Sequence, residues 1–244
     1  MPHADRHSGK NGFAMLSHTQ ALLWMVNQAD YMRAVAGDPK SWHTCAAYFM
    51  CGTPLETDAG ASGLTQNLDK ARQLMKEAGY DGRPIVLLDP TDLPYTHNAT
   101  LVTAQLLRKI GVQVQVQAMD WATLLTRRAE KKPPEAGGWH LFHTSWIAPD
   151  AFNPLVNMGV SGGCTDKAWF GWPCDERLET LRRAWARATD QAEQKRLATE
   201  IQVAAYDSVP FVLTGQYFTI RAYRKNITGV IASPVPFFWN SAKE

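Results

Sequence analysis

An α/β protein, with a mainly parallel sheet flanked by helices, is what this chain predicts, and three observations predict it. A buried-type run Ile85-Val86-Leu87-Leu88 is followed by a helical stretch from Tyr95 to Ile110, then by Val112-Gln113-Val114-Gln115-Val116-Gln117, which alternates with period two. That is a βαβ unit. A second helix opening at Asp120 then leads to another apolar run, 139–144, and successive right-handed crossovers put all three strands parallel in one sheet. Finally, 244 residues at 45% hydrophobic suffice to bury a sizeable core.

Taken in order, residues 1–18 are polar, carry three histidines and show neither period, so an irregular, disordered start is expected. Leu22, Leu23, Val26, Ala29 and Tyr31 approximate a helical stripe from 20 to about 35, closed by Gly37-Asp38-Pro39. A long connection, 37–66, follows; it is rich in Gly, Pro, Thr and Cys and carries Trp42, Tyr48 and Phe49. A loop of that length in a compact domain is functional or stapled. Asn67 caps the amphipathic helix that runs to Gly79, where the missing Cβ permits a stop.

After the βαβ unit, the Asp120 helix runs to about Glu130 and Lys131-Lys132-Pro133-Pro134 breaks it. Two helices are expected late in the chain, 175 to about 188 and 191 to about 206, the second opened by Asp190 and Glu193 at capping-box spacing. The extended runs 209–213 and 216–223, with a Pro/aromatic tail through Trp239, read as strands that leave for another lobe. The domain reading is therefore a disordered start (1–18), a main lobe (19–208) and returning strands with a tail (209–244).

Strands parallel in this order place 89–91, 119–121 and 146–153 at the carboxyl edge, where open α/β sheets bind ligands. The stretch 139–154 stands out among them. It passes from strand-like residues directly into Trp146, Pro149, Asp150, Phe152, Asn153 and Pro154, which supply flat apolar area, one charge and restricted backbone. The competing reading is that the aromatics cover the sheet end and Asp150 caps a helix.

Charge excludes some classes. The formal net charge is +2 with both signs scattered, which leaves no basic stripe for nucleic acid. No apolar run reaches the roughly 18 to 20 residues of a membrane span, and the first residues lack the apolar core of a signal peptide. The four cysteines fall as local pairs, Cys45 with Cys51 and Cys164 with Cys174. Each pair can close a short loop, which favours the disulfides of an oxidising compartment over free thiols, and neither has the C-x-x-C spacing of a zinc site. Paired cysteines without a leader suggest the later part of an exported protein.

Catalytic motifs are weak. Gly159-Val160-Ser161-Gly162-Gly163 fits G-x-S-x-G, but Cys164-Thr165-Asp166 and a Trp-rich loop follow where a nucleophile elbow needs a helix. His140 and His143, three apart on a strand, point to opposite faces. Cofactor fingerprints are absent: neither a phosphate-binding loop, a dinucleotide motif nor H-E-x-x-H occurs, so no cofactor is expected. The sequons at Asn98 and Asn226 are short enough to arise by chance.

Several phrases in this order resemble one family, the substrate-binding proteins of peptide-type ABC transporters (extracellular solute-binding family 5). They are Gln20-Ala21-Leu22, then Asp69-Lys70-Ala71-Arg72-Gln73-Leu74-Met75-Lys76-Glu77-Ala78-Gly79-Tyr80, then Trp146 with Asp150 and Pro154. Gln216-Tyr217 and Ala222-Tyr223-Arg224-Lys225-Asn226 complete the set, and the resemblance covers about residues 20 to 243. It implies a periplasmic-binding-protein-like C-terminal lobe, with strands returning toward an N-terminal lobe that has no counterpart here. It further implies a periplasmic location for the intact protein, a permease partner in the inner membrane and no enzymatic activity. In such proteins two lobes close on an extended ligand, and the charged residue after the Trp commonly receives the ligand's terminal ammonium. Here that role falls to Asp150, which lies one residue farther from Trp146 than in typical peptide binders, with Pro149 intervening. Trp146 and Phe152 are then expected as apolar walls, Asn153 as a two-way hydrogen-bonding group and Tyr48 as a contribution from the long loop. The alternatives are a serine hydrolase using Ser161 and a self-associating interaction module.

Overall fold

The computed structural model describes residues 10–165, 168–233 and 235–244, with side chains from residue 18. Helix α1 (Lys10–Met25) already includes residues 10–18, a correction to the irregular start; residues 1–9 lie outside the described residues. No proline occurs between Lys10 and Met25, and extending a nucleated helix fixes one residue per new hydrogen bond. The single expected helix over 20–35 is two. Asn27 ends the run by turning its side-chain oxygen onto the N–H groups of Ala29 and Asp30, which caps α2 (Gln28–Ala36).

Strand β1 (Trp42–His43) leads into the long loop, and α3 (Leu68–Glu77) opens on Asn67, whose oxygen accepts from the Lys70 N–H. Gly79, at φ +76°, ends α3, while the Tyr80 N–H reaches the Met75 carbonyl. Then come β2 (Ile85–Pro90), α4 (Pro94–Lys109), β3 (Val114–Met119), α5 (Trp121–Arg127, capped by Asp120) and β4 (Leu141–Phe142). Helices α6 (Glu176–Arg187) and α7 (Gln191–Ser208) are capped by Asp175 and Asp190. In α7 the reciprocal half of the box is not made, because the Glu193 carboxylate pairs with Arg196 instead. The short strands β5 (Gln216–Tyr217), β6 (Ile227–Thr228) and β7 (Ala242–Lys243) close the chain.

The three strands form one parallel sheet in the order β3-β2-β4, with Ile85 opposite Val114 and Leu88 opposite Phe142. The chain steps from β2 to one side and returns across it to the other. Right-handed crossovers therefore put α4 and α5 on opposite faces and make the gap between the carboxyl ends of β2 and β4 a switch point. Packing agrees with period-two alternation: Val86 and Leu88 meet Leu124 of α5, while Ile85 joins the cluster containing Leu106, Leu107 and Ile110 of α4. A second core centres on α7, where Ile201, Ala204 and Ala205 enclose Tyr48, Phe49 and Val160.

Two expected strands shrink. The run 139–144 joins the ladder only at Leu141 and Phe142; at His140 the backbone N–H still reaches the Val86 carbonyl at 3.0 Å, while the imidazole Nδ1 accepts the Val86 N–H at 2.9 Å where a backbone carbonyl would. The run 209–213 forms no strand: Val209, at φ +46°, ends α7. From 216–223 only β5 pairs, antiparallel to β1, and the ladder extends by one bond from the Phe218 N–H to the Ser41 carbonyl.

Candidate functional site

The switch point is where the expected ligand loop emerges. His143, directly after β4, lies at the base of that loop, and its Nε2 is 2.7 Å from the Thr103 hydroxyl of α4, itself 2.7 Å from the Tyr31 hydroxyl of α2. Burial holds the imidazole down at about 4, so it is neutral near pH 7. The far end of the loop is held as firmly. The Pro154 carbonyl accepts from the buried Arg182 guanidinium at 2.9 Å, and the fully buried Asn157 amide donates to the Tyr48 carbonyl at 2.8 Å. Residues 144–153 are thus a short span between two core anchors.

Across the gap, the carboxylate of Asp89, buried at the carboxyl end of β2, meets Nδ1 of His97 at 2.8 Å. This pair belongs to the same sheet edge and was missed in the sequence, since nothing local marks His97 as its partner.

Within the span, the Trp146 ring packs edge-on to Trp169 at 4.9 Å and near-parallel to Phe211 at 6.2 Å. Asp150 is exposed on a single helical turn, 148–151, and its carboxylate has no ion-pair partner among the described residues. Phe152 is 49% exposed. The side-chain oxygen of Asn153 accepts from the N–H groups of Leu155 and Val156, so it shapes the turn as well as flanking the site. These four residues come together on one loop.

Tyr48 does not join them. It is 1% exposed, packs edge-on against Tyr206 and Phe211, and donates its hydroxyl to the Phe211 carbonyl at 2.9 Å. Burial, then the neighbouring Tyr206, pushes its pKa up. Its part is to seat Phe211, the ring behind Trp146.

The cysteines are bonded as two local bridges, Cys45 to Cys51 and Cys164 to Cys174. Three buried carboxamides clamp the first bridged loop. Gln28 exchanges two hydrogen bonds with the backbone of Cys45, Gln202 accepts from the Tyr48 N–H, and Asn157 bonds Tyr48 as described. Met50 emerges from that clamp to face the ligand loop. An open groove of about 360 Å³ lies between them, lined by Met50, Ala148, Pro149, Phe152, Asn153 and Val156.

Ser161 has no elbow around it. It follows a short turn, Met158–Val160, the next helix begins at Glu176, and among the described residues no hydrogen bond joins its hydroxyl to a histidine. The flanking glycines have packing reasons: a Cβ on Gly159 would overlap the Phe211 ring, and one on Gly162 would overlap the Asp175 backbone. Among the described residues no group of His, Cys, Asp and Glu is arranged to hold a metal, and no helix is long and apolar enough to cross a membrane.

This architecture is that of periplasmic binding proteins. A putative peptide binding protein, AppA from Clostridium difficile, superposes with a TM-score of 0.75 over 94% of this chain and 47% of its own, at 14% identity. The periplasmic binding protein DppA from Helicobacter pylori, solved in complex with the peptide STSA, gives 0.72 over 95% and 45%, at 16% identity.

The family itself is set by sequence. Residues 10–169 match the bacterial extracellular solute-binding proteins, family 5 (middle region), and the chain belongs to that family. A probable peptide ABC transporter periplasmic-binding protein, y4tO of Sinorhizobium fredii, is 35% identical over 235 residues, 95% of this chain and 44% of that protein. The chain thus spans less than half the length of these relatives.

Proposed function

We propose that this chain is the ligand-holding part of the solute-binding component of an ABC importer. In the periplasm it takes up a short peptide or similar small cationic oligomer, for delivery to a permease of the inner membrane. The observation that carries the reading is the exposed, unpaired carboxylate of Asp150 on a turn anchored at both ends, beside Trp146 and Phe152. An ammonium against that carboxylate gains little in open water, and closure of a second lobe strengthens the pair by removing solvent. Trp146 and Phe152 supply apolar walls and the Asn153 amide supplies hydrogen-bonding capacity. The peptide-transport name of the rhizobial relative supports the same solute class.

The test is an NMR titration of this chain, which reads the weak binding expected of one lobe. A dipeptide with a free amino terminus should shift resonances of residues 146–153, and Asp150→Asn should abolish the shifts. Equal binding by the N-acetylated dipeptide, or by the Asn variant, overturns the role given to Asp150.

A further inference from the structure

The half-buried Trp146 leans on two rings, and neither belongs to its own loop. Phe211 stands 6.2 Å away; Trp169 is nearer, edge-on at 4.9 Å, so Trp169 is the ring that sets the tilt of the indole. Trp169 sits on a loop whose ends are tied by the Cys164–Cys174 bridge and by a backbone bridge between Gly163 and Cys174. Within it the Trp172 N–H reaches the Trp169 carbonyl at 2.7 Å, and Phe170 packs edge-on against Trp169 at 5.1 Å.

What meets the faces of Trp169 and Phe170 is a cation. The Arg128 guanidinium, just past the end of α5, lies 4.1 Å from the Phe170 ring centre and 5.3 Å from that of Trp169. It has no carboxylate partner among the described residues, and its Nε is buried without a hydrogen-bond partner. Burial pulls its pKa down. A neutral side chain of similar length would fill this space without desolvating a charge, so the charge is placed for the two ring faces that it meets. A guanidinium suits that contact because it is flat and weakly hydrated. Arg128 is itself fixed: its carbonyl accepts the Trp139 indole N–H at 3.1 Å, and its own N–H reaches the Leu124 carbonyl at 2.8 Å.

We propose that Arg128 is a positioning residue for the ligand wall: through the ring of Trp169 it sets the orientation of Trp146. This rests on the reading of Trp146 as an apolar wall given above. The chain of contacts runs from Arg128 to Trp169 to Trp146, and it makes the end of α5 part of the site although α5 supplies no wall of its own. An indole that loses its edge-on neighbour keeps only the longer contact with Phe211, and gains freedom that binding must then remove. Asp150 lies outside this chain of rings, so the two contributions separate: Arg128 acts on affinity, and the carboxylate acts on recognition of the amino terminus.

The experiment uses the whole chain with isotope-labelled tryptophan, as wild type, Arg128→Met, Arg128→Lys, Trp169→Ala and the variant carrying both Arg128→Met and Trp169→Ala. Trp146→Phe assigns the Trp146 indole resonance. Arg128→Met should move that resonance and weaken binding of Leu-Leu by roughly threefold, while the preference for Leu-Leu over its N-acetyl form stays as in wild type. Arg128→Lys, which keeps the charge and loses the flat stack, should fall between. Once Trp169 is gone, removing Arg128 should change neither the resonance nor the affinity further. An Arg128 that serves stability alone would lower the urea midpoint and leave the Trp146 resonance in place, which overturns the proposal. So does an effect of Arg128→Met that is as large without Trp169 as with it. If Trp146→Ala binds Leu-Leu as wild type does, the wall reading falls and takes this proposal with it, while Asp150 keeps its role. If Asp150→Asn leaves binding unchanged and the coupling through Trp169 holds, the ammonium reading falls and the positioning of Trp146 stands.

Discussion

Replacing His143 by Gln should flatten the pH dependence of folding stability between pH 7 and pH 5. The imidazole is held neutral by burial, with its pKa at about 4 against an ordinary value of 6.5. The unfolded chain therefore takes up a proton at this site, as pH falls, before the native state does. Stability from this residue is fully present above 6.5, is lost as pH falls through the window from 6.5 to about 4, and is gone below it. Integrating the difference gives a loss of about 2 kcal/mol between pH 7 and pH 5, and about 3 kcal/mol in full. Glutamine reaches the position of Nε2 and can keep the hydrogen bond to Thr103, but it does not titrate. Urea unfolding at pH 7, 6 and 5 measures the slope for both proteins, and the other histidines cancel in the difference. Parallel slopes in wild type and variant would refute the claim that the half-buried His143 is held neutral at the foot of the loop.

Tyr48→Phe should destabilise by about 1 to 2 kcal/mol, since the Phe211 carbonyl loses its donor. The same variant should leave dipeptide titrations unchanged, because Tyr48 serves the core; a large affinity loss without unfolding would contradict that. Opening the first bridge with Cys45→Ala and Cys51→Ala should cost about 2 kcal/mol in the chain-entropy account. Amide exchange should then speed up between residues 44 and 58, with α4 and the parallel sheet unaffected. Gly159→Ala should lower stability by about 1 to 3 kcal/mol through overlap with Phe211. A fluorophosphonate probe should leave Ser161 unlabelled, and labelling would revive the hydrolase alternative.

What could be read in advance divides along the distance between partners. Helices α3, α5, α6 and α7 were legible because Asn67, Asp120, Asp175 and Asp190 meet their N–H partners within three residues. The βαβ core was legible for the same reason: periodicity is local, and crossover handedness then orders the strands. The placement of Trp146, Asp150, Phe152 and Asn153 at one sheet edge followed directly. Tyr48 is buried, where the sequence led to an exposed ring, because its backbone N–H and carbonyl pair with Gln202, 154 residues away, and Asn157, 109 residues away. An aromatic in a Gly- and Pro-rich loop looks exposed until such partners satisfy the surrounding backbone. Once they do, the long loop ceases to be a flexible connector: Gln28, Gln202 and Asn157 pair its buried amides and carbonyls, and the bridge closes its tightest turn. Met50, next to the bridge and at φ +65°, is the residue whose backbone this fixes, on a loop marked in the sequence by its length and its cysteines rather than by a period.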